Sequence, residues 1–199
     1  MTAPPTIRQP LPGGPGARRA AGRPVTAAAA VAAVAQHDAG GGGPVALLIR
    51  AQHGKSVLEI GTSKGHSAIW FADAVRDTGG RLTTVETDAV QVEAAQRNLE
   101  RAGVWEHVDV VHDDGGKVLE RTPDASVDLV VLDAERPVCV EYWPQVRRTL
   151  TPRGIVAVDN AVSHREQLTA FRSLLAATGD FAVDLREVGD GVVTAVRMR

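Results

Sequence analysis

The feature that most constrains the fold is a regular alternation of apolar, strand-like runs with amphipathic helical runs from residue 56 onward. Such alternation is typical of a parallel sheet with helices on both faces. The chain ends differently, because two extended runs are separated only by Gly189-Asp190-Gly191, and so short a turn requires an antiparallel hairpin. We therefore predict an α/β fold with five parallel strands and a C-terminal antiparallel hairpin. The predicted parallel strands are 56–60, 81–86, 108–112, 127–133 and 154–159, the hairpin strands are 181–188 and 192–197, and the helices are 66–77, 88–102, 114–120, 138–149 and 165–177.

Composition and charge restrict the class of protein. The 199 residues carry a net charge of −2 and one cysteine, Cys139, so we expect neither a nucleic-acid surface nor an internal disulfide. No apolar run approaches the roughly 20 residues that span a bilayer, and we expect a cytoplasmic location without membrane contact. We predict a disordered tail over 1–24 and a single domain over 25–199, with N-terminal helices within 25–52 and the core over 56–199.

Two functions can be assigned to the predicted tail from its sequence. Arg18-Arg19, followed by the Ala/Val run 25–35, has the pattern of a twin-arginine export signal. The tail's arginines could also contact RNA. A solvated tail followed by a plain N-terminal helix over 26–37 accounts for the same residues without either function.

A glycine turn after the first predicted strand is the first candidate site. Backbone N–H groups converge on a ligand where a strand, a glycine turn and a helix N-terminus meet. Glu59 puts a carboxylate where a phosphate would have to approach, which favours a ligand with positive charge, such as S-adenosylmethionine (SAM). The predicted cofactor-binding residues of this turn are Glu59, Gly61, Thr62, Ser63, Gly65 and Ser67.

The ends of the second and third strands extend this site. Glu86, followed by Thr87, lies about 20 residues beyond the glycine turn, where an acidic side chain can accept both ribose hydroxyls. NAD shares that contact, but the spacing Gly61-x-x-x-Gly65 is not the dinucleotide fingerprint. Asp114 and Gly115 would lie beside an adenine, although Asp114 fits equally well as the N-cap of the next helix.

Oxygen-bearing side chains follow the fourth and fifth strands. Asp133 ends one strand, and Asp159 and Asn160 end the next. Two carboxylates and an amide suit a hard cation such as Mg²⁺ and leave coordination positions open. The alternative is that Asp133 binds SAM while Asp159-Asn160 only turns the chain.

In order and spacing, these motifs resemble the cation-dependent catechol and caffeoyl-coenzyme A O-methyltransferases, including small bacterial members. The resemblance covers about 44–199. It implies the class I SAM-methyltransferase sheet, with strand order 3-2-1-4-5-7-6. It also implies SAM binding by the turn, Glu86 and Asp114-Gly115, and a divalent metal held by Asp133, Asp159 and Asn160. The implied function is metal-assisted O-methylation of a small molecule. The motifs are Leu58-Glu-Ile-Gly-Thr-x-x-Gly-x-Ser67, Val85-Glu-x-Asp88, Asp128-Leu-Val-Val-Leu-Asp-Ala134, Gly154-x-x-x-x-Asp-Asn160 and Val188-Gly-Asp-Gly191.

The acceptor side departs from that family. Arg136 replaces the usual lysine base, and since arginine stays protonated we expect it to neutralise substrate charge instead. His164 is the candidate proton acceptor, or else a solvent-exposed histidine at a helix start. The lost lysine leaves open metal-independent N- or C-methylation and a non-catalytic SAM-binding domain. The Ala-rich helix 26–37 could form a homodimer contact or pack on the core.

Overall fold

The computed structural model describes residues 42–133, 138–159, 166, 168–186 and 191–198, and these residues build one seven-stranded sheet. The strand order is β3-β2-β1-β4-β5-β7-β6. Strands β1 to β5 pair in parallel, while β7 is antiparallel to both β5 and β6. The predicted fold class and strand order are confirmed. The strands are β1 Ser56–Ile60, β2 Arg81–Glu86, β3 Val108–His112, β4 Val127–Leu132, β5 Leu150–Val158, β6 Phe181–Arg186 and β7 Val192–Arg197.

Helices cover both faces of the sheet. The first three pack on one face, around Val57, Leu129 and Ile155, and the last three pack on the other, around Leu58, Val130 and Val156. Neighbouring strand residues therefore belong to different cores, as the two-residue period of a strand requires. The helices are α1 Gly42–Gln52, α2 His66–Thr78, α3 Ala89–Ala102, α4 Gly115–Arg121, α5 Val138–Thr149 and α6 Thr169–Thr178, with a 3₁₀ turn at Trp105–His107.

Strand β5 begins earlier than the sequence pattern indicates. Val127 pairs with Leu150, but Leu129 already pairs with Ile155, so the residues between bulge out of the ladder. Arg153 has a φ of 67°, and Pro152 has no N–H to donate to a ladder. The predicted start at 154 lies one residue before Ile155, where regular pairing resumes.

Helix α1 falls within the predicted N-terminal helical range 25–52. Strand β6 is described over Phe181–Arg186, and residues 187–188 of the predicted strand lie outside the described residues. The predicted tail 1–24 and helix 26–37 lie outside the described residues. No helix in the described part of the chain is both long and apolar enough to span a membrane.

The topology places the site. The chain runs outward from β1 through β2 to β3 and then returns to β4 on the other side of β1. In such sheets ligands bind outside the carboxyl ends of the strands, at the point where this order reverses. The residues just after β1, β2, β3 and β4 therefore lie where such a ligand would bind.

Candidate functional site

A cavity of about 420 Å³ lies at the carboxyl ends of β1, β2 and β3, between the sheet and helices α4 and α5. Its volume is in the range of small-molecule and cofactor sites. Seven predicted cofactor residues line it: Gly61, Ser63, Glu86, Thr87, Asp114, Gly115 and Asp133. The remaining lining residues are Ile60, Val85, Asp113, Val138 and Tyr142.

Glu86 is held in the cavity wall by backbone amides. Its Oε2 accepts from Ser63 N at 2.8 Å, and its Oε1 accepts from Thr87 N at 2.8 Å and Asp88 N at 3.0 Å. Ser63 has a φ of 48°, a left-handed conformation that non-glycine residues adopt rarely. Oε1 already accepts from two amides, whereas Oε2 accepts from one and keeps acceptor capacity, so the group can also receive a ligand hydroxyl there.

The far wall of the cavity is built around the start of α4. The Asp114 carboxylate accepts from Lys117 N at 3.0 Å, which is the N-cap role predicted as one of its two interpretations. A Cβ on Gly115 would come within 2.5 Å of Ile60 Cγ2, so only glycine lets the helix approach β1 this closely. The amide of Asp114, together with the Arg121 guanidinium at 2.8 Å, holds the pKa of Asp113 below its usual range.

Glu59, Thr62, Gly65 and Ser67 do not line the cavity. Glu59 is completely buried, and its side chain lies on the sheet face that α2 covers, whereas its neighbour Ile60 faces the cavity. Gly65 is the N-cap of α2, with a φ of 81°, and a Cβ there would lie 3.2 Å from Ala95. These residues lie on the side of the glycine turn that faces away from the cavity.

Glu59 is the centre of a buried polar chain, which we define as Ser67, Glu59, Thr84 and Thr62. Ser67 Oγ donates to Glu59 Oε1 at 2.5 Å, and Thr84 Oγ1 donates to Glu59 Oε2 at 2.5 Å. The hydroxyls of Thr62 and Thr84 are 2.6 Å apart. Each buried oxygen in the chain therefore has a polar partner, as buried groups require.

Burial raises the pKa of Glu59 to about 8. The hydrogen bonds from Ser67 and Thr84 lower that pKa, while the negative charges of Asp133 and Asp159 raise it further. The carboxyl group therefore remains largely protonated at neutral pH. When it is protonated, it donates one of the two bonds that its carboxylate form accepts.

The two predicted metal aspartates follow neighbouring strands. Asp133 N donates to Ile60 O at 2.9 Å, and Asp159 N donates to Leu132 O at 3.3 Å, which fixes both residues at the same edge of the sheet. Within the described ranges, no group of three or more His, Cys, Asp or Glu side chains could hold a metal ion. Asn160, Arg136 and His164 lie outside the described residues.

Sequence reasoning missed two contributors to this region. Thr84 bridges Glu59 and Thr62, and the signal for it is a polar residue in the middle of a buried strand. Tyr142 packs beside Gly115 and Gly116 in the cavity wall, where burial raises the pKa of its phenol. No local sequence signal places this side chain against the start of α4, because that contact depends on how α4 and α5 pack together.

Comparison with known proteins gives a consistent result. Residues 58–161 match a family model described as a methyltransferase domain. A catechol O-methyltransferase of Niastella koreensis is 32% identical over 122 residues, which is 58% of this chain and 53% of that protein. A Mycobacterium tuberculosis protein with a provisional O-methyltransferase name is 30% identical over 169 residues, covering 78% of this chain and 75% of its own length.

Solved structures show the same architecture. The O-methyltransferase TomG of Streptomyces achromogenes, solved in complex with SAM and involved in tomaymycin synthesis, has a TM-score of 0.70 at 29% identity and covers 79% of each chain. An O-methyltransferase of Bacillus cereus has a TM-score of 0.73 and covers 84% of this chain and 90% of its own. At 24% identity, the second likeness concerns the fold alone.

Proposed function

The chain belongs to the methyltransferase domain family, and from this premise we propose that it is a SAM-dependent O-methyltransferase of the catechol and caffeoyl-coenzyme A type. The observation that carries the proposal is the cavity outside β1 to β4, where Glu86 and the glycine turn meet Asp133. The SAM-bound relative from Streptomyces adds support, because it shares this fold.

The proposed placement of SAM follows from the cavity wall. The fixed carboxylate of Glu86 accepts the ribose hydroxyls, as an acidic residue after the second strand does in related sheets. The adenine lies toward Asp114 and Gly115, against the ring of Tyr142. The methionine end lies toward Gly61 and Asp133, where carboxylate charge favours an ammonium and a sulfonium.

We also propose that Asp133, Asp159 and Asn160 hold a divalent cation, with Mg²⁺ as the first candidate. Two carboxylates at neighbouring strand ends offer the oxygen donors that this ion prefers. When bound, such a cation would lower the pKa of a hydroxyl on the acceptor. Arg136 would neutralise acceptor charge, and His164 would accept the proton.

The acceptor that fits this arrangement is a small molecule with two adjacent oxygens, such as a catechol. Because SAM already carries an activated methyl group, the protein mainly has to align the attacking oxygen. Net charge gives no reason to expect a nucleic-acid acceptor. We place the reaction in the cytoplasm, a reducing compartment that suits the buried free thiol of Cys139.

Asp159→Asn tests the metal proposal with little change in side-chain volume. We expect the purified full chain to methylate a catechol with Mg²⁺, to lose that activity in EDTA, and to recover it when Mg²⁺ is added back. The variant should lose at least 100-fold in kcat/KM and respond little to Mg²⁺. Asp124→Asn, an exposed carboxylate that pairs with Arg148, is the matched control and should behave like wild type.

The outcomes separate the parts of the proposal. Turnover that is unchanged in EDTA would reject the metal and favour metal-independent methylation. SAM binding measured by calorimetry without turnover of catechols, hydroxycinnamates or amines would favour a non-catalytic SAM-binding domain. No SAM binding at all would reject the proposed cofactor.

A further inference from the structure

An apolar groove of about 490 Å³ lies at the opposite side of the sheet from α6, between helix α1 and the C-terminal hairpin. Its side chains come from α1 and from the face of β6 and β7 that α1 borders, and Val183 reaches it from the other face at the edge of the sheet. Leu47 is 67% exposed there, although it is a large aliphatic residue on the helix. The lining is Pro44, Leu47, Leu48, Ala182, Val183, Asp184, Val192, Thr194 and Val196.

The two faces of the hairpin are covered unequally. On the α6 side, Phe181 packs edge-on against Trp143, which packs in the same way against Phe171 of α6. On the α1 side, only the edge of α1 reaches Val192 and Val196 among the described residues. Ala182, which pairs with Val196 and shares its face, is exposed. An apolar sheet face left open in this way normally has a covering element.

We propose that residues 25–37 of the same chain dock in this groove as a helix, with Val31 and Val34 against the hairpin. This segment ends four residues before α1, and it is composed of Ala and Val with one Thr, one Gln and a terminal His. It carries no Lys, Arg, Asp or Glu, which matches a groove whose lining contains only one charged residue, Asp184.

The length of the connection favours docking within one chain. Five residue steps separate His37 from Gly42, and an extended chain advances at most about 3.6 Å per residue, so the helix must end within about 18 Å of the start of α1. Pro44, two residues into α1, already lines the groove. Gly40 and Gly41 lie in this connection, and glycine has the backbone freedom that a reversal of direction in that distance requires.

The length of the proposed helix also matches the length of the hairpin strands. A 12-residue helix over 26–37 is about 18 Å long, and the six-residue strands β6 and β7 are each about 20 Å long. Because alanine and valine have small side chains, the axis of this helix can lie close to Ala182 and Thr194. Val31 and Val34 are three residues apart and share one face of such a helix, while Ala33 points to the opposite face.

Disulfide trapping in the full chain tests this placement. Ala182→Cys is combined in turn with Val31→Cys, Val34→Cys and Ala33→Cys, and the buried native Cys139 is retained. Disulfides form only when the Cα atoms come within about 7 Å. We expect oxidation to join position 182 to position 31 or 34 within one chain at least tenfold faster than to position 33, as seen by peptide mass and by mobility without reductant.

Each other outcome overturns the proposal in a distinct way. Disulfide-linked dimers would assign the groove to a second copy of the chain. Equal rates at all three positions would indicate an undocked tail, and a preference for position 33 would reject the valine face.

Thermal unfolding gives a second measurement for the case in which no disulfide forms. Val34→Asp and Leu47→Asp should each lower Tm by about 3–6 °C, and the double variant should lose clearly less than the sum, because each change weakens the docking of the same segment in the groove. Val90→Asp, an exposed valine at the start of α3, is the control and should add its small effect independently. Additive losses for Val34 and Leu47, together with no disulfide, would overturn the docking.

Discussion

The cavity wall and the buried polar chain behind it use the same two strands in different ways. Glu86 ends β2 with its carboxylate on backbone amides at the cavity. Glu59, one residue before the end of β1, has its carboxylate on side-chain hydroxyls and no solvent contact. Two glutamates at adjacent strand ends therefore differ in what their charge can do. Glu86, in the cavity wall, can bind a ligand, and the buried Glu59 can hold the turn in place.

This difference follows from strand geometry. Successive side chains point to opposite faces, so Ile60 reaches the cavity while Glu59 points under the start of α2. Changes in the polar chain should therefore alter stability and its pH dependence, whereas changes in the cavity wall should alter ligand affinity. Variants in the two regions therefore separate an effect on stability from an effect on affinity.

The largest expected effect is a fall in stability as pH rises from about 5 to 8. Glu59 keeps its proton in the folded protein up to a pKa of about 8, whereas the unfolded chain releases it near 4.5. Between these values the folded state binds the extra proton, so the free energy of unfolding falls with rising pH and levels off above 8. Since one pKa unit corresponds to about 1.4 kcal/mol, the loss is up to about 4 kcal/mol.

Urea unfolding of the ligand-free protein at several pH values measures this loss. Glu59→Gln keeps an uncharged, hydrogen-bonding side chain and should remove most of the slope. Glu86→Gln is the matched control, and it should unfold with the wild-type slope. If Glu59→Gln retains the full pH dependence, the buried charge is not its cause.

The second effect concerns affinity and belongs to the cavity wall. Glu86→Ala should raise the SAM Kd about 100-fold, because hydrogen bonds to a charged acceptor contribute about 1.5–3 kcal/mol each. The amides of Ser63, Thr87 and Asp88 that it releases are exposed, so water can replace the carboxylate with little loss of stability.

Calorimetric titration with SAM checks this prediction, with Glu59→Gln as the comparison. We expect the Glu59 variant to bind within about fivefold of wild type, since the substitution lies behind the wall and leaves the lining side chains intact. Equal losses in the two variants would mean that the polar chain and the wall act as one unit.

Much of the fold could be predicted because its signals are local. Strand and helix periods gave the alternation, and the glycine turn at 189–191 required the hairpin. The residues that line the cavity were also accessible, since the ends of parallel strands meet at one edge of a sheet. Glu86, Asp114 and Asp133 could therefore be placed together without coordinates.

The polar chain could not be predicted because it depends on strand register. Glu59 meets Thr84 only because these two residues are paired between β1 and β2, a detail set by long-range packing. The bulge before Ile155 is similar, because nothing local fixes which residue of β5 pairs with Leu129. Glu59 was recognised as unusual from sequence, but its direction toward α2 was not.

The smallest expected effect tests that register-dependent contact. Thr84→Val keeps the side-chain shape and removes the hydroxyl that joins Glu59 to Thr62. It should cost about 1–3 kcal/mol of unfolding free energy, the usual penalty for buried polar groups left without a partner. The pKa of Glu59 should rise further, because the Thr84 hydrogen bond lowers it. The SAM Kd should stay near the wild-type value, since Thr84 does not line the cavity.

Thr83→Val, on the other face of the same strand, is the control. It separates the effect of losing the Thr84 hydroxyl from the higher strand propensity that valine brings at either position. Urea unfolding at pH 6 and calorimetric titration with SAM measure the stability and the SAM affinity of both variants. A large loss of affinity in Thr84→Val with unchanged stability would reverse the roles given to the polar chain and the cavity wall.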